Sequence, residues 1–158
     1  MASTTFSGPV TSTNGFIGNL TGNVTGSITG LASVTTLAAA STLTAAQSGT
    51  TFFLSSATEF VTTLPAPAAG VTYTFIVGAA PSGASYTVVT NASANIIKGQ
   101  AYPASGAAGD TGTADDTISF VDAQAVAGDR VVLISDGTSW FAYAFCAVAA
   151  GVTFTQAS

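Results

Sequence analysis

Arg130-Val131-Val132-Leu133-Ile134-Ser135-Asp136-Gly137-Thr138-Ser139-Trp140-Phe141-Ala142-Tyr143-Ala144-Phe145 decides the fold class. Two runs rich in β-branched and aromatic residues flank Asp136-Gly137, a dipeptide that tolerates the positive φ of a tight reversal, so the stretch reads as a β-hairpin. Side chains alternate between the two faces of a strand. Trp140, Ala142 and Ala144 therefore share one face, and Phe141, Tyr143 and Phe145 share the other. The three-aromatic side is expected to serve as core or as a subunit contact. A sugar-stacking surface built from Trp140, Phe141, Tyr143 and Phe145 is the alternative, with Trp140 beside the turn as its best candidate.

The same texture extends upstream. Val71, Tyr73, Phe75 and Val77 alternate with Thr72, Thr74 and Ile76, which predicts a strand with one side in the core, ended by Gly78 and by Pro81-Ser82-Gly83. Thr50 to Leu54, Glu59 to Leu64, Ser85 to Thr90, Ile96-Ile97 and Asp116 to Val121 repeat the pattern. Pro65, Pro67 and Asn91 to Asn95 supply breaks and turns. Gln100 to Asp116, rich in Gly and Ala and containing Asp110, Asp115 and Asp116, reads as an exposed polar loop. About eight short strands without a sustained helical period predict an all-β domain over residues 42–158, an antiparallel β-sandwich or jelly-roll-like barrel.

Residues 1–41 read differently, as an extended N-terminal arm. Gly18-Asn19-Leu20-Thr21-Gly22-Asn23-Val24-Thr25-Gly26-Ser27-Ile28-Thr29-Gly30 repeats a tetrapeptide three times. The period is wrong for collagen, and the glycines and β-branched residues disfavour a helix. In an extended ribbon Leu20, Val24 and Ile28 fall on one face. Ordering each residue costs about 1–2 kcal/mol, whereas burying each of three aliphatic side chains returns roughly 1.5–3 kcal/mol, so the ribbon is expected to order only against another surface. Phe6, Val10, Phe16, Ile17, Leu20, Val24, Ile28 and Leu31 are the candidate partner contacts of such a docking arm.

Composition narrows the function. Only 6 % of the 158 residues are charged, and the first charged side chain is Glu59; thirty of the 58 residues before it are Gly, Ser or Thr. A net charge of −5 with only Lys98 and Arg130 as cations argues against nucleic-acid binding. No apolar run reaches the length of a membrane-spanning helix, and Met1 to Phe6 lacks the charge and apolar block of a signal peptide, which predicts no membrane partner. Cys146, the lone cysteine, lies among apolar neighbours as a buried thiol, and Lys98 is expected as a solvated charge at a strand end.

Histidine is absent, which removes the commonest general base and metal ligand, so no catalytic residues and no cofactor are assigned. Asp110, Asp115, Asp116 and Asp122 could hold calcium, yet no EF-hand spacing occurs and the acids read as loop solvation, so no metal site is assigned.

Leu43-Thr44-Ala45-Ala46-Gln47-Ser48-Gly49-Thr50-Thr51-Phe52-Phe53-Leu54, Thr63 to Phe75 and Asp129 to Trp140, with the leading Phe6-Ser7-Gly8-Pro9-Val10-Thr11-Ser12-Thr13-Asn14-Gly15-Phe16, resemble virion proteins of tailed bacteriophages. The likeness implies a non-enzymatic capsid decoration (cement) protein or a fibre component. A decoration protein of this kind would be a homotrimer on the outer surface of the capsid, bound to the major capsid protein of the same virion. The fibre alternative makes the β-domain a receptor-binding tip.

Overall fold

The computed structural model describes residues 33–156. Twelve strands run in chain order as β1 (Val34–Leu37), β2 (Ser41–Thr42), β3 (Thr50–Leu54), β4 (Val61–Thr63), β5 (Thr72–Val77), β6 (Tyr86–Val89), β7 (Ile97–Pro103), β8 (Thr111–Asp115), β9 (Thr117–Phe120), β10 (Arg130–Ser135), β11 (Trp140–Cys146) and β12 (Val152–Thr155). They form a seven-stranded sheet in the order β1-β3-β5-β10-β11-β7-β8 and a five-stranded sheet in the order β12-β9-β6-β4-β2, packed as a sandwich. The all-β sandwich expected from the sequence is what the chain forms.

Its pairing is mixed rather than purely antiparallel. From β1 to β6 the chain changes sheet at every step. β1, β3 and β5 therefore lie parallel in one sheet while β2, β4 and β6 lie parallel in the other. Parallel neighbours need a crossover, and here the opposite sheet supplies it in place of a helix, which makes the first half of the domain a two-sided coil of three turns. Antiparallel β10 then docks on β5, and β9 docks on β6. The predicted hairpin pairs Arg130 with Phe145 and Ser135 with Trp140 around Gly137, whose φ is +101°.

Two tyrosines pin the crossings. The Tyr73 hydroxyl donates to the Thr44 carbonyl at 2.7 Å, and the Tyr86 hydroxyl donates to the Ser56 carbonyl at 2.7 Å while accepting from the Ser56 N–H. Each buried ring thus keeps its polar end satisfied at the rim of the core. Burial raises the Tyr73 phenol above its ordinary range.

Among the described residues the core runs from Leu37 to Phe154. Phe52 and Phe75 stack at 5.5 Å, and Tyr73 packs 5.6 Å from Trp140. Val71, Tyr73, Phe75 and Val77 all point inward as their alternation requires, and so do Phe60, Thr62 and Leu64.

Two expectations need correction. The sandwich starts ahead of residue 42: β1 pairs in register with β3 and β2 with β4, because Leu37 and Leu43 both have core positions to fill. Most of Gln100 to Asp116 is also not loop, since β7 and β8 pair antiparallel across it. Beyond Ile97 their inward positions include Gly99, Ala101 and Gly112, too small to give an apolar alternation. Gly99 must be small, since a Cβ there would lie 2.4 Å from the Ala142 carbonyl oxygen.

The two ends of the sandwich differ. At one, the sheets are stitched together: an Asp110 carboxylate oxygen accepts from the Phe154 N–H at 2.7 Å, and the Asp116 N–H donates to the Thr155 carbonyl at 3.1 Å. At the other, β1 and β2 are the outermost described strands, and Val34 is 64 % exposed.

Candidate functional site: an aromatic face carrying both cations

The outer faces of the two sheets are chemically unlike. Rows across the five-stranded sheet read Thr153, Ser119, Thr87, Val61 and Thr155, Thr117, Val89, Thr63, an array dominated by hydroxyls. Rows across the seven-stranded sheet read Phe53, Ile76, Arg130, Phe145, Tyr102, then Thr74, Val132, Tyr143, Gln100, then Thr72, Ile134, Phe141, Lys98. Among the described residues, all three exposed aromatic side chains, Tyr102, Tyr143 and Phe145, lie on this second face. Both cations of the chain lie there too.

These side chains organise one another. The Arg130 guanidinium sits 4.9 Å from the centre of the Phe145 ring, and Tyr102 stacks on the other flank of Phe145 at 5.7 Å. Lys98 sits 5.7 Å from the centre of Phe141. The Tyr102 hydroxyl donates to the Gln100 Oε1 at 3.0 Å. Between the two cation–ring pairs, Lys98, Gln100, Tyr102, Phe141 and Tyr143 line an open depression of about 230 Å³. A cation held over a ring is attracted by the ring's quadrupole, and the Asp136 carboxylate at the hairpin turn also attracts Lys98.

The hairpin's alternation is as read from sequence, but its inward face is the other one. Trp140 is fully buried with Ala142 and Ala144, so it is a core residue and takes no part in a surface site. Phe141, Tyr143 and Phe145 point outward and are not core. The reason is volume: Phe52, Tyr73 and Phe75 reach into the core from neighbouring strands, leaving space beneath β11 for one indole and two methyl groups. Lys98 is exposed as the second residue of β7, near the start of that strand. Tyr102, Gln100 and Lys98 were hidden as site residues because their strand has a Gly-Ala inner side. The alternation of Lys98, Gln100 and Tyr102 was the available signal.

The acids are bound up in turns. Asp129, buried, accepts from the N–H groups of Val126 and Ala147 and so ties the segment before β10 to the one after β11. Asp122 accepts from the Gly83 N–H and Asp115 from the Thr113 N–H. The Asp136 Oδ1 accepts from the Ser139 N–H at 2.7 Å and from the Thr138 N–H and hydroxyl, which holds its carboxyl below the usual range. Among the described residues, no three His, Cys, Asp or Glu side chains converge on a point that could hold a metal ion. Cys146 is buried, and desolvation, with a smaller contribution from the Asp129 charge, pushes its thiol up. The candidate arm contacts Phe6, Val10, Phe16, Ile17, Leu20, Val24, Ile28 and Leu31 lie outside the described residues.

No protein-family model matches the chain, and no curated protein matches it. The face offers flat apolar rings, two fixed positive charges and an amide, which suits binding.

Proposed function

We propose that the protein is a non-enzymatic structural component of a bacteriophage particle, a decoration protein that binds the major capsid protein on the outside of the head through its uncharged leading segment. The observation that carries this reading is the contrast between the two ends of the sandwich. One end is stitched by Asp110, Phe154, Asp116 and Thr155, whereas the other ends in the exposed strand β1, the first strand described. Among the described residues Leu37 to Phe154 supply a continuous core, and an outermost strand offers backbone groups to which another chain can add. The resemblance to tailed-phage virion proteins supplies the particle. A homotrimer would give three such segments to one knob, and weak contacts would combine through effective concentration.

The second reading, a trimeric fibre component with a receptor-binding tip, is favoured by one observation, the exposed aromatic face. Immunogold labelling of virions separates the two. A decoration protein is found many times over the shell; label confined to a single vertex or to fibre ends overturns the first reading in favour of the second.

A further inference from the structure

The outer face of the seven-stranded sheet has features that attachment through the leading segment does not use, and they say what kind of ligand it takes. Phe141, Tyr143 and Phe145 stand in line along β11 at two-residue intervals, roughly 6.6 Å apart for a strand rising about 3.3 Å per residue. Lys98 flanks one end of this line from β7 and Arg130 flanks the other from β10. Phe141 and Phe145 are placed by the sheet and by their cation and stacking partners, and Tyr143 stands on the same strand between them, so little backbone ordering remains to be done on binding.

We propose that this face binds a short glycan of neutral sugars bearing one carboxylated sugar, its rings seated along Phe141, Tyr143 and Phe145 and its carboxylate held by Lys98 or Arg130. A sugar presents a C–H-lined face that packs flat on an aromatic ring while its hydroxyl edge stays in water. That matches rings such as Tyr143 and Phe145, 47 % and 44 % exposed on a flat sheet. Gln100, beside the depression, keeps its amide N–H groups for a sugar oxygen, because its Oε1 already accepts from Tyr102.

Charge selects among occupants. The chain carries −5 overall, yet both of its cations are here, and the rows of this face contain no Asp or Glu. A single carboxylate is attracted by the local pair of cations, while a nucleic acid with a phosphate at every nucleotide is repelled by the whole molecule. A second copy docked face to face would set cations against cations. Hydrolysis of the glycan calls for a pair of carboxyl groups, which the face lacks, so the site holds its ligand without cleaving it. The site stands whether the sandwich is displayed on a head or on a fibre.

The test is a glycan array of matched neutral, uronate-bearing and sialylated oligosaccharides probed with the full chain, followed by calorimetry on the strongest hit. The expected result is binding confined to members with a carboxylated sugar. Tyr143→Ala should weaken it by about tenfold or more, Lys98→Gln with Arg130→Gln should abolish the preference for acid, and Thr87→Ala on the opposite face should leave it unchanged. A flat array, hits spread evenly over neutral sugars, or wild-type affinity in Tyr143→Ala overturns the proposal. So does light scattering in which Tyr143→Ala disperses an oligomer, since a second copy would then occupy the face.

Discussion

Arg130 and Phe145 face each other in register across the β10–β11 pair, with the guanidinium 4.9 Å from the ring centre. The pair is half exposed, and such contacts contribute about 0.5–1 kcal/mol. A double-mutant cycle of Arg130→Gln and Phe145→Leu, read from urea midpoints, should give a coupling of that size. A coupling indistinguishable from zero would mean that Arg130 is not held over the ring in solution.

Trp140 is fully buried, and its Nε1 has no hydrogen-bond partner among the described residues. Trp140→Ala should cost about 3–5 kcal/mol through the cavity it leaves. Trp140→Phe forfeits volume but no hydrogen bond and should cost about 1–2 kcal/mol. Chemical denaturation checks both, and equal losses in the two variants would contradict the unpaired indole.

Gly99 faces Ala142 across the parallel β7–β11 pair, where an added Cβ would meet the Ala142 carbonyl oxygen at 2.4 Å and its Cβ at 2.7 Å. Both obstacles are backbone or the first side-chain atom and cannot swing away. Gly99→Ala is expected to destabilise by about 1–3 kcal/mol, the range for forced overpacking. A thermal midpoint unchanged from wild type would place β7 further from β11 than found.

Asp136 accepts three hydrogen bonds in the hairpin turn, and its carboxyl is held below the usual range by them. A carboxyl depressed in the folded state stabilises fully above its unfolded value, and the contribution is lost as pH falls through the folded value. The stability gap between wild type and Asp136→Asn should therefore be constant above about pH 5 and close below about pH 4. A gap that widened in acid would reverse the sign.

How far the sequence foretells the molecule depends on where the information lies. The Val71–Val77 alternation and the Asp136-Gly137 reversal are local, and both strands and the hairpin register follow from them. The parallel coil is not local: Val34 lies beside Thr51, and Thr51 beside Thr74, through crossovers whose direction no dipeptide encodes. Small inward residues also hide strands, as Gly99 and Ala101 do in β7. Alternation divided β11 into two faces correctly, but which face is buried depended on the space left by Phe52, Tyr73 and Phe75, residues far away in the chain. The aromatic surface could be named from sequence only as an alternative, and its cations joined it only once β7 was seen beside β11.

The central claim is that the sandwich folds by itself while residues 1–32 attach it to a particle. Removing residues 1–32 and sedimenting the remainder with undecorated capsid shells tests this most directly. The expected result is a domain with an unchanged thermal midpoint that stays in the supernatant while the full chain pellets with the shells. Pelleting of the shortened protein to the same extent as the full chain would contradict the account.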